Sequence, residues 1–233
     1  MNVSESSLNF QLESTSPAEI LSAIQRYLRR VQPCETSDEE SQSIVVNITG
    51  AGGQNFIGAG IRGVSKVSIQ GAIGQFGLCS YGDGECIVEG NVGDFFGHSL
   101  HSGVLVVRGH AKNAVGALGA GGLITIYGNA GQRIGMGLQG ADVVIRGSVD
   151  SHAGLAMQSG TLIIGGNAGP HFGQGMRGGT IYIRGEAASI CPNVEEQRLR
   201  EPDRLKIGLL MLKSGIKSTG KEFRAYRSVQ GES

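Results

Sequence analysis

The sequence contains no tryptophan, and only five prolines and four cysteines in 233 residues. Cys34, Cys79, Cys86 and Cys191 stand apart with no C-x-x-C pair among them. An iron–sulfur cluster held by this chain alone is therefore not expected. No apolar run approaches the length of a membrane-crossing helix, and the N-terminal residues lack the basic and apolar regions of a secretory signal, so a cytoplasmic protein is expected. Lys plus Arg equals Asp plus Glu at 20 each, and a chain without net charge has no global field to draw it to nucleic acid or an anionic membrane.

Charge is scarcest in one long stretch. From Ile44 to Gly185 only 14 of 142 residues are charged, against roughly a quarter in ordinary soluble domains. The outer surface of that stretch is expected to be covered by other subunits. What fills the stretch is glycine, with 40 residues in the whole chain, far above the usual ~7% and without a collagen period. Gly71, Gly90, Gly109, Gly128, Gly147, Gly166 and Gly185 are each 19 residues apart, and Gly50 precedes Gly71 by 21, as if one coil carried a two-residue insertion.

Counting back from each of these glycines, the fourth position holds Val46, Val67, Cys86, Leu105, Ile124, Val143, Leu162 and Ile181. The second holds Ile48, Ile69, Val88, Val107, Ile126, Ile145, Ile164 and Ile183, while the residue just before the glycine is mostly polar. This is the period of a half-buried strand, with Cys86 in the core column. A 19-residue repeat is too short for a helix pair or a four-stranded propeller blade, which leaves a solenoid with one coil per repeat. The predicted fold is an all-β parallel β-helix of about 7–8 coils and about 38 Å in length. Further glycines, such as Gly135 and Gly137 or Gly173 and Gly175, mark the other corners and read as backbone turns rather than phosphate loops.

The ends are different. Ser16-Pro17-Ala18-Glu19 is a capping box opening an amphipathic helix that Pro33 stops, and Pro202 opens a second helix ended by Gly215. Both are predicted to cap the solenoid. Residues 1–43 form an N-terminal arm, irregular to residue 14, then helix and loop; residues 44–191 form the β-helix; residues 192–233 form the C-terminal helix and tail. Phe223, Arg224, Tyr226 and Arg227 in that tail are candidates for docking a partner.

Candidate chemistry is thin. His152 and His171 share one position in adjacent coils and should stack about 4.8 Å apart, with no aligned ligands to make a zinc site. Asn91, Asn129 and Asn167, with His110 and Ser148 between them, follow the repeating glycines and should satisfy corner amides. Glu89 should pair weakly with Arg108 across coils. No catalytic, cofactor-binding or metal-binding residue is assigned.

The serial pattern from Gly128-Asn129-Ala130-Gly131 to Gly135-Met136-Gly137, repeated from Gly166-Asn167-Ala168-Gly169 to Gly173-Gln174-Gly175, resembles the GXGXG domain of the glutamate synthase large subunit. That resemblance implies a right-handed parallel β-helix. The segment Glu222 to Ser228 is similar to the tail of the stand-alone subunit of N-methylglutamate synthase-like complexes. It implies a non-catalytic scaffold in a hetero-oligomer, partnered by a glutamine-amidotransferase-like subunit and a glutamate synthase-like subunit that carries FMN and an iron–sulfur cluster. Two alternatives stand beside it. One is the C subunit of a formylmethanofuran dehydrogenase or a formyltransferase/hydrolase complex. The other is an autonomous carbohydrate-active β-helix enzyme, for which Asp83, Glu85, Asp94, Asp142 and Asp150 fail to align into a carboxylate cluster.

Overall fold

Short segments of alternating or continuous apolar residues, each closed by glycine, form the strands. The computed structural model describes residues 5–31, 43–218 and 220–229. In chain order they form β1 (Glu5–Gln11), α1 (Pro17–Val31), β2 (Ser43–Gly52), β3 (Lys66–Ala72), β4 (Glu85–Glu89) and β5 (Val104–Val107). There follow β6 (Leu123–Ile126), β7 (Gln139–Ile145), β8 (Ser159–Ile164), β9 (Thr180–Ile183), β10 (Val194–Gln197), α2 (Glu201–Lys213) and β11 (Arg224–Ser228). Strands β1 to β9 lie side by side in sequence order and in parallel, as a β-solenoid of about 7 turns. Register follows the repeat: Leu105 pairs with Ile124, Ile124 with Val143, Val143 with Leu162 and Leu162 with Ile181. The longer coil before Gly71 shows as a register shift between Ile48 and Ala51.

Both expected apolar columns point inward and are fully buried, Cys86 included. Phe96, Val115, Ile134, Ala153 and Phe172 fill the second face, and Leu100, Leu138, Met157 and Met176 fill the third. These residues belong to one continuous core running the length of the stack.

Helices flank the solenoid toward both ends of the chain, as expected. Helix α1 begins at the capping box: Ser16 N–H donates to Glu19 Oε2 at 2.7 Å, and Glu19 N–H donates to Ser16 Oγ at 3.3 Å. Its Ile20 and Ile24 are buried against the first coils. The segment before it is not irregular. Ser6, Leu8 and Phe10 take the register of Ile44, Val46 and Ile48, so β1 adds one more parallel strand. Among the described residues that strand is paired along one edge only, and its largely polar sequence conceals it from a search for buried alternation. The acidic segment expected as a loop, Glu35 to Ser43, lies outside the described residues up to position 42, as does Cys34, and Ser43 already belongs to β2.

Helix α2 does not sit on the open end of the stack. It lies across the outer face of the sheet, where Ile207, Leu210 and Met211 pack against Leu123, Val144, Ile163 and Tyr182. The C-terminal end is closed by the chain after the last coil. Strand β11 adds antiparallel to β9, Tyr226 meets Phe172 edge-on at 5.2 Å, and Val194 is buried beneath Gly173.

Candidate functional site

From Gly109 to Gly185 the repeating glycines are set by a polar ladder. Asn91 Oδ1 accepts the N–H of His110 at 2.8 Å, and His110 Nδ1 accepts that of Asn129 at 3.0 Å. Asn129 Oδ1, Ser148 Oγ and Asn167 Oδ1 continue it to Ser148, Asn167 and Glu186 at 2.9, 3.0 and 3.0 Å. Each coil thus satisfies one corner amide of the next, as the sequence suggests. The glycines have a different reason from the one the sequence offers. Of the seven spaced 19 apart, Gly71 alone has positive φ. At Gly147 an added Cβ would sit 2.2 Å from Asn129 Oδ1, the acceptor of the ladder itself. Close approach, not a left-handed backbone, demands glycine there.

Left-handed backbone does occur at another corner. Gly135 and Gly137 have φ of 67° and 61°, and the coil before them places Leu118 at 57° in the same role. The neighbouring column, also left-handed, stacks its rings on the surface: Phe56 on Phe76 at 5.4 Å, Phe76 on Phe95 at 4.9 Å, and His152 on His171 at 4.7 Å. His98 meets Phe76 and Phe95 edge-on and shares a 2.9 Å hydrogen bond with Ser99. Among the described residues no group of three His, Cys, Asp or Glu is placed to hold a metal ion. Burial pushes the Cys79 and Cys86 thiols up, away from a reactive thiolate.

The tail residues named as docking candidates are engaged within the chain. Phe223 and Tyr226 are buried, and Arg224 donates to the Gly185 carbonyl. Arg227 pairs with Asp203, which also accepts from Tyr182 Oη at 2.7 Å and from the Arg200 N–H at 2.8 Å. Burial pulls the Asp203 carboxyl upward, but these donors outweigh it and hold it below the usual range. Together with Thr125 Oγ1 and Ser214 Oγ at 2.8 Å, this cluster fastens α2 to the sheet.

Two surface features remain. Helix α2 is apolar on its outward face as well, with Leu205, Leu209 and Leu212 at 67%, 52% and 77% exposure. Gly208 stands beside that stripe with nothing within 4 Å of where a Cβ would be. The second feature is a groove of about 440 Å³ where the segment after α2 passes the sheet. Arg146, Arg184 and Lys217 line it, with Tyr127, Met211 and Ile216 as its apolar wall. Arg108 lies 4.0 Å from Glu89, as expected, and 4.5 Å over the Tyr127 ring. The column signal is visible in sequence as Arg108, Tyr127, Arg146, Gly165, Arg184. Only the fold brings Lys217 to it.

No helix of the described residues is long and apolar enough to cross a membrane. A family profile described as the GXGXG motif matches residues 18–223. No curated protein matches the sequence.

Proposed function

Because the chain belongs to the GXGXG motif family, which marks it as a glutamate synthase-related protein, we propose that it is a non-catalytic structural subunit of a glutamate synthase-like complex of the N-methylglutamate synthase type. In this reading it holds in register a glutamine-amidotransferase-like subunit and a synthase-like subunit that carries FMN and an iron–sulfur cluster, and the amino-group chemistry belongs to those partners. The observation that carries the reading is the outward stripe of α2. Three leucines, each more than half exposed, are an apolar patch that a free surface does not need. Gly208 opens the backbone beside them, so a partner element can approach closely.

Co-expression with the two partner subunits tests this. A stoichiometric complex showing flavin and iron–sulfur absorption is expected, and Leu205→Glu/Leu209→Glu/Leu212→Glu should release this chain, folded, from it. Recovery of this chain as a partner-free monomer beside a fully active partner pair would refute the scaffold role. A co-purifying pterin in place of FMN would transfer the chain to the formylmethanofuran dehydrogenase type of assembly.

A further inference from the structure

We propose that the groove formed by Arg146, Arg184 and Lys217 binds a small organic dianion, a dicarboxylate or a phosphate ester with an apolar body. The chain as a whole is neutral, with 20 acidic and 20 basic residues, so three cations around one cavity are a local departure rather than a general property. Elsewhere in the same column charge is balanced in place, by Glu89 against Arg108. Beyond Tyr127 the balance stops: among the described residues no carboxylate forms an ion pair with Arg146, Arg184 or Lys217. Like charges gathered round one cavity repel, and an anion placed between them relieves that repulsion.

The geometry makes room for such an anion. Arg146 and Arg184 are two coil steps apart, about 10 Å along the stack, and the coil between them carries Gly165 in place of a side chain. Arg184 Nε donates to the Gly165 carbonyl at 2.7 Å. That bond fixes the orientation of the guanidinium and leaves its terminal nitrogens for a ligand, in a fork matched to carboxylate or phosphate oxygens. The wall is equally fixed. Tyr127 Oη donates to the Ser214 carbonyl at 2.7 Å, Arg108 covers the ring, and Met211 is buried. A volume of about 440 Å³ falls in the range of small-molecule sites, and its mix of apolar wall and cationic rim suits an organic anion better than an inorganic one.

Calorimetric titration of the full chain at low ionic strength, with succinate and separately with phenyl phosphate, reads the proposal. The uncharged succinamide is the control. Saturable binding of at least one dianion and none of succinamide is expected, falling steeply with added salt. Arg146→Gln, at a side chain with no hydrogen bond to lose among the described residues, and Lys217→Gln should each weaken binding tenfold or more. On the unmodified chain, the Gly165 amide should shift in NMR spectra during the same titration. Binding of succinate alone assigns carboxylate chemistry, and binding of phenyl phosphate alone assigns phosphate-ester chemistry. Absence of binding by both, a Gly165 amide that does not move, or affinity unchanged in the Arg146→Gln/Lys217→Gln double variant would overturn it.

Discussion

At the scale of single residues, two glycines of this chain do opposite work. Gly147 lies where the polar ladder passes between coils, and a methyl group there meets Asn129 Oδ1 at 2.2 Å and the Gly128 carbonyl at 2.7 Å. Gly147→Ala must therefore push Asn129 away from the Ser148 N–H and strand a corner amide. A loss of about 2–4 kcal/mol is expected, read as a lower denaturant midpoint with an unchanged slope. Gly208, inside α2, has open space on its Cβ side. There, Gly208→Ala should stabilise the isolated chain by about 1 kcal/mol, the ordinary helix-propensity difference. If both substitutions destabilise equally, the ladder is not what selects glycine at position 147.

At the scale of elements, the attachment of α2 is the part most dependent on pH. Asp203 is nearly buried and its carboxyl is held below its ordinary value near 3.8. A group whose folded value is depressed contributes stability above the unfolded value and loses it as pH falls through the folded one. Tyr182 has the opposite sense: burial, with the Asp203 carboxylate beside it, pushes its hydroxyl above the ordinary value of 10.0. That contribution is complete below the ordinary value and is lost as pH rises through the raised one. Protection of the α2 amides, taken relative to their intrinsic exchange at each pH, should thus fall below about pH 4 and above about pH 10, while that of β6 to β8 is kept. Asp203→Ala, which takes the carboxylate from Arg227 and leaves it Thr180 and Gln197, should loosen α2 at neutral pH by about 2–4 kcal/mol. Uniform exchange of helix and strands at all pH values would show that the cluster does not fasten α2.

The same elements show what was legible in the sequence. A strict 19-residue period reports the solenoid because every coil repeats the same inward columns. The position between those columns drifts from Ser68 to Ile87, Val106, Thr125, Val144, Ile163 and Tyr182, apolar at all but Ser68 and Thr125, and α2 covers the last three. That drift is the available signal for the cover, and it is easily passed over because inward and outward residues then look alike. Strands β10 and β11 were not legible, since they form an antiparallel closure with no repeat behind them. Nor could the groove be read, as Lys217 reaches it only through the path of the chain after α2.

At the scale of the whole molecule, the low charge of the solenoid acquires two explanations that can be separated. Part of the uncharged outer sheet is covered by the chain's own α2, Phe223 and Ala225. The outward face of α2, with Leu205, Leu209 and Leu212 exposed, has no such cover among the described residues. Gly208→Ala discriminates between an inert apolar face and a docking face, because the two predict opposite balances of stability and assembly. It adds helix stability to the free chain, yet it places a methyl group where a close-packed partner element would need open backbone. The melting temperature of the isolated chain should rise by a few degrees, while its affinity for the partner subunits falls about tenfold, mostly through faster dissociation. A variant that is both more stable and equally well assembled would remove the Gly208 face from the interface and leave the ring stack of Phe56, Phe76 and Phe95 as the surface to test next.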